Sequence, residues 1–300
     1  MTAPASSPDP ASGLAPAVGA YLIWGFLPLY LLLVKSVPAF EFVGWRIIWT
    51  LPLCLLIVAL RRQFGELRAA LRSPRALLAL LASALLIGAN WLVYTWAIMA
   101  GEVYAASIGY YLNPLLNVLL GTLLLGERLT RRQWIAVAIA ALAVALLAAG
   151  AIISLWISLA LALTFSLYGL VRKQVSVGSL PGLTIESAIL LPLAGVIVGW
   201  YASGPQGSSF GQDWWLSGLI IFSGVVTAVP LLLFAIAARR MDYSTLGFIQ
   251  YLAPTIVFFL GLTVFGQPLA PARLASFVLI WIAVGVFVWD LWARRRAASA

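Results

Sequence analysis

The chain has 300 residues, 63% apolar and only 9% charged, with a net charge of +9 and a mean hydropathy of +1.05. A soluble globule carries about 25% charged residues, so this chain cannot give its core a polar coat and must be solvated by lipid. It has no histidine and one cysteine, Cys54, inside an apolar run, which excludes a disulfide framework, zinc hydrolases and Ser-His or Cys-His nucleophile systems.

Residues 1–13, rich in Pro, Ser and Ala, read as a disordered tail. They hold no positive n-region, so the apolar run behind them is a retained span and not a cleaved signal peptide. Windows near 20 residues, the length a bilayer demands, then recur at roughly 14–34, 39–60, 75–98, 103–125, 131–150, 152–171, 183–202, 214–237, 244–265 and 271–292. An all-α polytopic membrane protein of ten transmembrane helices is expected. An Ala-Gly-Ala turn near Gly150 makes the tightest link, and the only longish polar loop runs from Ser203 to Asp213.

The stretch from Tyr111 to Glu127 returns 140 residues later from Tyr251 to Gln267, with Pro114, Gly121 and Gly126 in register with Pro254, Gly261 and Gly266. Just upstream, Ala97-Ile98 matches Ala235-Ile236, and Gly109 matches Gly247. Self-similarity of this kind predicts two homologous halves, 14–150 and 151–292, followed by a basic tail at 293–300. Each half holds five spans, an odd number, so the second is inverted in the membrane. Inverted repeats place a shared central cavity near the midplane and permit alternating access by rocking about it.

Basic residues predict the orientation. Loops on the N-terminal side carry Arg61, Arg62, Arg68, Arg72, Arg75, Arg128, Arg131, Arg132, Arg172, Lys173, Arg239, Arg240, Arg294, Arg295 and Arg296. These 15 face only Lys35 and Arg273 on the other side, a bias that puts both termini in the cytoplasm. Topology thus accounts for the net charge, and no nucleic-acid partner is implied. Trp134, Trp200, Trp214, Trp215, Trp289 and Trp292 fall at span ends as interface anchors.

In the fourth span Ser107, Tyr110, Asn113, Pro114, Asn117 and Gly121 fall on one helical face; Gly247, Gln250, Pro254 and Gly261 make the equivalent face of the ninth. Amides and phenols in lipid must find partners, so these faces look inward. Two readings stand: lining of the cavity, or helix–helix glue with Gly121 and Gly261 allowing close approach. Tyr21, Trp24 and Pro28 on the first span, Ser83, Asn90, Trp91 and Tyr94 on the third, Thr164 and Tyr168 on the sixth, and Ser223, Thr227 and Pro230 on the eighth extend the lining, with Tyr251 beside Gln250. Pro28, Pro114, Pro230 and Pro254 are candidate breaks or hinges. A pocket of aromatic rings and neutral hydrogen-bonding groups suits amphipathic organic solutes better than phosphates.

Three charges lie within spans: Glu41, Arg46 and Glu186. Arg46 and Glu186 each stand six residues before a proline, yet inversion puts them near opposite membrane faces, so each is expected to pair within its own half. They read as gate or anchor charges, or as side chains snorkelling to the interface. Both glutamates lie near span ends, where a carboxylate stays hydrated, and no acid reaches the midplane. Facilitated diffusion, without proton or sodium coupling, is the expectation. No cofactor or metal and no obligatory protein partner is implied; the partners are a small-molecule substrate and the bilayer.

Several of these residues form a recognisable set. Ala20-Tyr-Leu-Ile-Trp-Gly25, the Glu41-x4-Arg46 pair, Gly88-Ala-Asn-Trp91, Gly109-Tyr-Tyr-Leu-Asn-Pro-Leu115, Leu125-Gly-Glu127, Tyr168-Gly-Leu-Val-Arg-Lys173 and Thr245-Leu-Gly-Phe248 resemble the RarD-type branch of the EamA family, within the drug/metabolite transporter superfamily. The resemblance spans residues 14–296. It implies a ten-span bacterial inner-membrane permease with two EamA domains, exporting small amphipathic metabolites such as amino acids, aromatic ones included, or effluxing drugs of the chloramphenicol type. Gln267 departs from the pattern, standing where the first half has Glu127.

Overall fold

With no water in the hydrocarbon layer, each backbone N–H and C=O must be satisfied within its own segment, and the long apolar runs of this chain become helices. The computed structural model describes residues 11–149, 154–266 and 269–299. In order these form α1 (Ala11–Leu33), α2 (Ala39–Leu60), α3 (Phe64–Leu71), α4 (Pro74–Met99), α5 (Val103–Leu124), α6 (Arg131–Ala148), α7 (Leu155–Gln174), α8 (Ser179–Ala202), α9 (Trp214–Arg240), α10 (Tyr243–Gln250), α11 (Leu252–Thr263) and α12 (Pro271–Ser299). Ten stretches are long and apolar enough to cross a membrane, with α10 and α11 together forming the ninth. Ten crossings return the chain to its starting side, called here the terminal face.

Four expectations are revised. Residues 11–13 belong to α1 and not to a tail, and residues 1–10 lie outside the described part. Helix α12 continues through the basic segment to Ser299, so residues 293–299 prolong the span. The link at 61–75 contains α3, too short to span. Arg172 and Lys173 are in the last turn of α7 and not in a loop. The turn at Gly150 and the departure at Gln267 fall outside the described residues.

The helices form two inverted five-helix repeats, visible in how they pack. Exchange each span for the one five later: α1 for α7, α2 for α8, α4 for α9, α5 for the α10–α11 pair, and α6 for α12. Under this exchange α1 against α9 becomes α7 against α4, and α2 against α9 becomes α8 against α4. Likewise α5 against α7 becomes the α10–α11 pair against α1. The pairs α2–α8, α5–α10 and α6–α12 map onto themselves. A symmetry that sends every one of these contacts to another or to itself is the mark of a two-fold axis.

Lipid tails are as apolar as leucine, so helices here are held by close packing and not by expulsion of water. Gly224 lets α9 approach α2 until an added Cβ would lie 2.5 Å from the Trp49 carbonyl oxygen. Gly247 does the same for α10, 2.9 Å from the Pro114 carbonyl oxygen of α5. Small residues Ala136, Ala140 and Ala143 of α6 meet Ile280, Ala283 and Phe287 of α12 at the periphery.

The equivalent central prolines act differently. Pro114 lies inside an unbroken α5. Pro254 cannot donate to the carbonyl of Gln250, four residues back. There the ninth span divides at Tyr251, which separates α10 from α11.

Candidate functional site

One face of α5 reads as a depth gauge. Ser107 is exposed and Tyr110 keeps 39% of its surface open. Asn113, Asn117 and Gly121, further along the same face, are buried. The deep members meet other helices and not lipid: Asn117 and Pro114 lie against α10, and the Asn113 carbonyl receives Ser166 Oγ of α7 at 3.5 Å. The buried part of the face therefore looks into the bundle. Its exposed end, called here the vestibule, lies toward the face opposite the termini, and its buried end, called here the seal, lies toward the terminal face.

Five helices converge on Arg46 in the open part. Its Nε donates to Thr227 Oγ1 of α9 at 3.0 Å, and its guanidinium carbon sits 4.6 Å from the ring centroid of Trp91 on α4. Tyr30 of α1, Tyr94 of α4 and Tyr110 of α5 are close enough to act electrostatically on its charge. The rings of Tyr94 and Tyr110 meet edge-on at 5.8 Å. Arg46 thus bonds across the halves, against the expectation of a partner in its own. Deeper in, Tyr21, Trp24, Phe165 and Phe234 form an aromatic cluster, with Trp24 5.7 Å from Phe165.

Other expected lining residues do different work. Asn90 is glue: its Nδ2 donates to the Leu161 carbonyl and to Thr164 Oγ1, both at 2.9 Å, clamping α4 to α7. Tyr251 points away, into the packing of α5, α6, α10 and α12, with its hydroxyl 3.4 Å from the Tyr111 carbonyl. Tyr168 is buried, stacked on Phe234 at 6.1 Å. Gln250 Oε1 accepts from Asn117 Nδ2 at 3.1 Å and from the Tyr21 hydroxyl at 3.4 Å, tying α10 to α5 and α1. The Oδ1 atoms of Asn113 and Asn117 are buried without a partner. Pro230 is buried one turn below Thr227, and Pro28 is partly exposed in α1.

The seal is built from residues whose partners the sequence does not reveal. Asp242 stands at the N-cap of α10 but makes no capping bond. Glu127, 116 residues before Tyr243, takes that part: its Oε1 accepts from Tyr243 N at 2.6 Å, and its Oε2 from Ser244 N at 2.9 Å and Ser244 Oγ at 2.6 Å. An acid at a helix N-terminus also meets the positive end of the helix dipole. The Tyr243 hydroxyl donates to the Ser166 carbonyl of α7 at 2.6 Å. Lys173 Nζ donates to the Ala238 carbonyl in the last turn of α9 at 3.0 Å and to the carbonyl of Met241, just after it, at 2.6 Å.

Neither membrane glutamate is hydrated, contrary to expectation. Glu186 is 1% exposed and pairs with Arg172, itself fully buried, at 3.4 Å; Ser83 Oγ also donates to it. Glu41 is wholly buried because the 203–213 loop folds over it: Ser208 Oγ, Ser209 N and Ser209 Oγ donate at 2.6, 2.8 and 2.8 Å, and Trp45 Nε1 at 3.1 Å. Glu41 is an anchor for that loop. The argument for uncoupled flux from hydrated carboxylates loses its premise. A cavity of about 10 Å3, room for little more than one water, lies between Trp91 and Glu186, lined also by Ile47, Thr50 and Ile87, far below the roughly 300–1,000 Å3 of a ligand pocket.

A ten-span bundle of inverted repeats, with a polar helix face exposed toward one side and buried toward the other, is the plan of a multi-pass membrane transporter. The chain belongs to the EamA-like transporter family, whose pattern matches residues 11–149, and within it to the RarD-type permeases. It is 43% identical over 277 residues to an uncharacterized transporter of Pseudomonas aeruginosa, covering 92% of this chain and 93% of that one. It is 38% identical over 296 residues to Protein RarD of Escherichia coli, covering 96% and 97%. A solved crystal structure of a protein shares the fold, with a TM-score of 0.72 and 21% identity over 93% of this chain and 97% of that one. The protein is thus a multi-pass bacterial membrane transporter.

Proposed function

We propose that the protein is an inner-membrane secondary transporter that exports small amphipathic metabolites, foremost amino acids including aromatic ones, by alternating access. The repeats divide at residues 150 and 151, and both termini are cytoplasmic, so the vestibule faces outward. The observation that carries the reading is the α5 face, open at Tyr110 and closed at Asn117. It supplies a path that ends inside the bundle among aromatic rings. The unpartnered side-chain amide oxygens (Oδ1) of Asn113 and Asn117 on that face are acceptors suited to an ammonium group.

Counterflow in proteoliposomes tests the substrate class. Vesicles loaded with unlabelled phenylalanine or tryptophan should take up the labelled amino acid saturably, and empty-protein vesicles should not. Exchange of chloramphenicol alone would make the protein a drug permease, and no exchange with any amino acid would remove the proposal.

Thiol labelling in intact cells tests orientation. In a Cys54→Ser background, Gln206→Cys, exposed in the 203–213 loop, should react with an impermeant maleimide. Arg68→Cys, exposed on α3, should react only after lysis. The reverse pattern would turn the vestibule toward the cytoplasm.

A further inference from the structure

We propose that Arg46 is the anchor for a carboxylate on the transported molecule, so that the substrates are small monoanionic or zwitterionic acids with an aromatic or apolar body. The inference deepens the transport reading and rests on it for the word substrate, but the binding site stands on its own geometry.

Arg46 is the eighth residue of α2, about 10 Å in from the end of that helix at 1.5 Å per residue. A guanidinium offers five N–H donors in a planar fork. Only Nε is used, by Thr227. The Nη groups have no hydrogen bond among the described residues. No carboxylate lies within ion-pair distance either, since the ion pairs among those residues are Arg172–Glu186 and Arg294–Asp290. Glu41, just over a turn away on α2, is fully engaged by the loop above it. A cation this deep in a membrane protein without a counter-charge is costly to keep. This one is held in place: Thr227 fixes one edge, and the Trp91 ring supports one face.

What remains is a fork matched to the two oxygens of a carboxylate, which guanidinium groups bind through paired N–H···O bonds. Carboxylate is favoured over phosphate because a single cation serves the site. The phenols of Tyr94 and Tyr110, which make no hydrogen bond among the described residues, complete a wall that is aromatic to the body of a ligand and polar at its edge.

The test measures binding to purified full-length protein in lipid nanodiscs by thermal shift and tryptophan fluorescence. The probes are 3-phenylpropanoate, L-phenylalanine, L-phenylalaninamide and phenethylamine. The two carboxylates should bind, and the amide and amine should bind at least about tenfold more weakly. Arg46→Gln should weaken the carboxylates by a similar factor, with Arg46→Lys between, because ammonium keeps the charge and loses the fork. If Arg46→Gln does not fold, the wild-type probe series and Arg46→Lys decide. Equal binding of amine and acid, acids binding Arg46→Gln as well as wild type, displacement by equimolar inorganic phosphate, or no binding of any probe would each overturn the assignment. Carboxylates that bind through Arg46 but show no counterflow would leave the site standing and remove the transport proposal instead.

Discussion

Replacing Glu186 with leucine is expected to destabilise the solubilised protein by about 3–5 kcal/mol, and adding Arg172→Met to restore most of the loss. The reason is that the pair is sequestered and not that it is strong. Arg172 and Glu186 are 0% and 1% exposed, and Arg172 Nη2 is held by the Ser179 carbonyl at 2.9 Å. Gly182 packs directly on the guanidinium, which therefore cannot swing out when its partner is removed. An orphaned cation in that setting pays the desolvation cost without compensation, whereas two apolar side chains of similar volume do not. Thermal unfolding of the two single variants and the double variant measures this. A double variant no more stable than Glu186→Leu would show that the two charges are not coupled.

Glu127→Ala should shift the conformational balance away from the sealed arrangement. Three charge-assisted bonds join Glu127 to Tyr243 and Ser244, and each such bond contributes roughly 1.5–3 kcal/mol. All three belong to the sealed arrangement. Losing even about 3 kcal/mol of this from one of two exchanging states changes their ratio by roughly 100-fold. Ser166, whose carbonyl is covered by the Tyr243 hydroxyl, reports the change. In a Cys54→Ser background, Ser166→Cys should be alkylated at least about tenfold faster when Glu127 is alanine. An unchanged rate would mean that the cap never opens.

Asp242 adds a pH dependence to that seal. Protein packed around its carboxyl, and then the Glu127 charge, push it above the ordinary carboxylate range, while Lys173 and Arg294 pull it down. A raised value in the sealed state means that protonation favours sealing. The contribution is complete below the ordinary Asp value and is lost as pH rises through the raised one. Alkylation of Ser166→Cys should therefore accelerate with pH more steeply than in the same protein carrying Asp242→Asn.

The spans were legible because a bilayer imposes a length and a hydropathy that few other constraints mimic, and each of the ten windows falls on one of the ten spans, the ninth on the α10–α11 pair. Helix α3 escaped because eight residues with a glutamate and an arginine carry no such signal. Face arithmetic at 100° per residue found the side of α5 that looks inward, since its polar residues share one stripe. It could not say what meets each residue. Asn90 and Tyr110 look alike in sequence, as polar groups on inward faces; one is clamped to α7 and the other lines open space. Arg172 was read as loop charge because it ends a helix, and its partner lies beyond the turn, on the next helix. Glu127 stood in a visible motif, but its partners are 116 and 117 residues away, a separation that one sequence without its fold does not reveal.

The division of the ninth span at Tyr251 has a mechanical consequence. The halves share a plan, but one carries a wrist where the other carries a stiff arm. If the alternating-access proposal holds, α10, eight residues long, would swing about Tyr251 by releasing Glu127 and its bonds to Asn117, Tyr21 and Ser166, without disturbing α11. Its counterpart α5 runs 22 residues in one piece, so drawing Tyr110 inward to shut the vestibule means tilting the whole rod, with its packing against α7. Opening toward the terminal face is then a local swing, and closing the far mouth is a collective movement of the slower kind that takes microseconds to milliseconds. We expect the two strokes of the cycle to differ in speed, with the stiff arm setting the turnover.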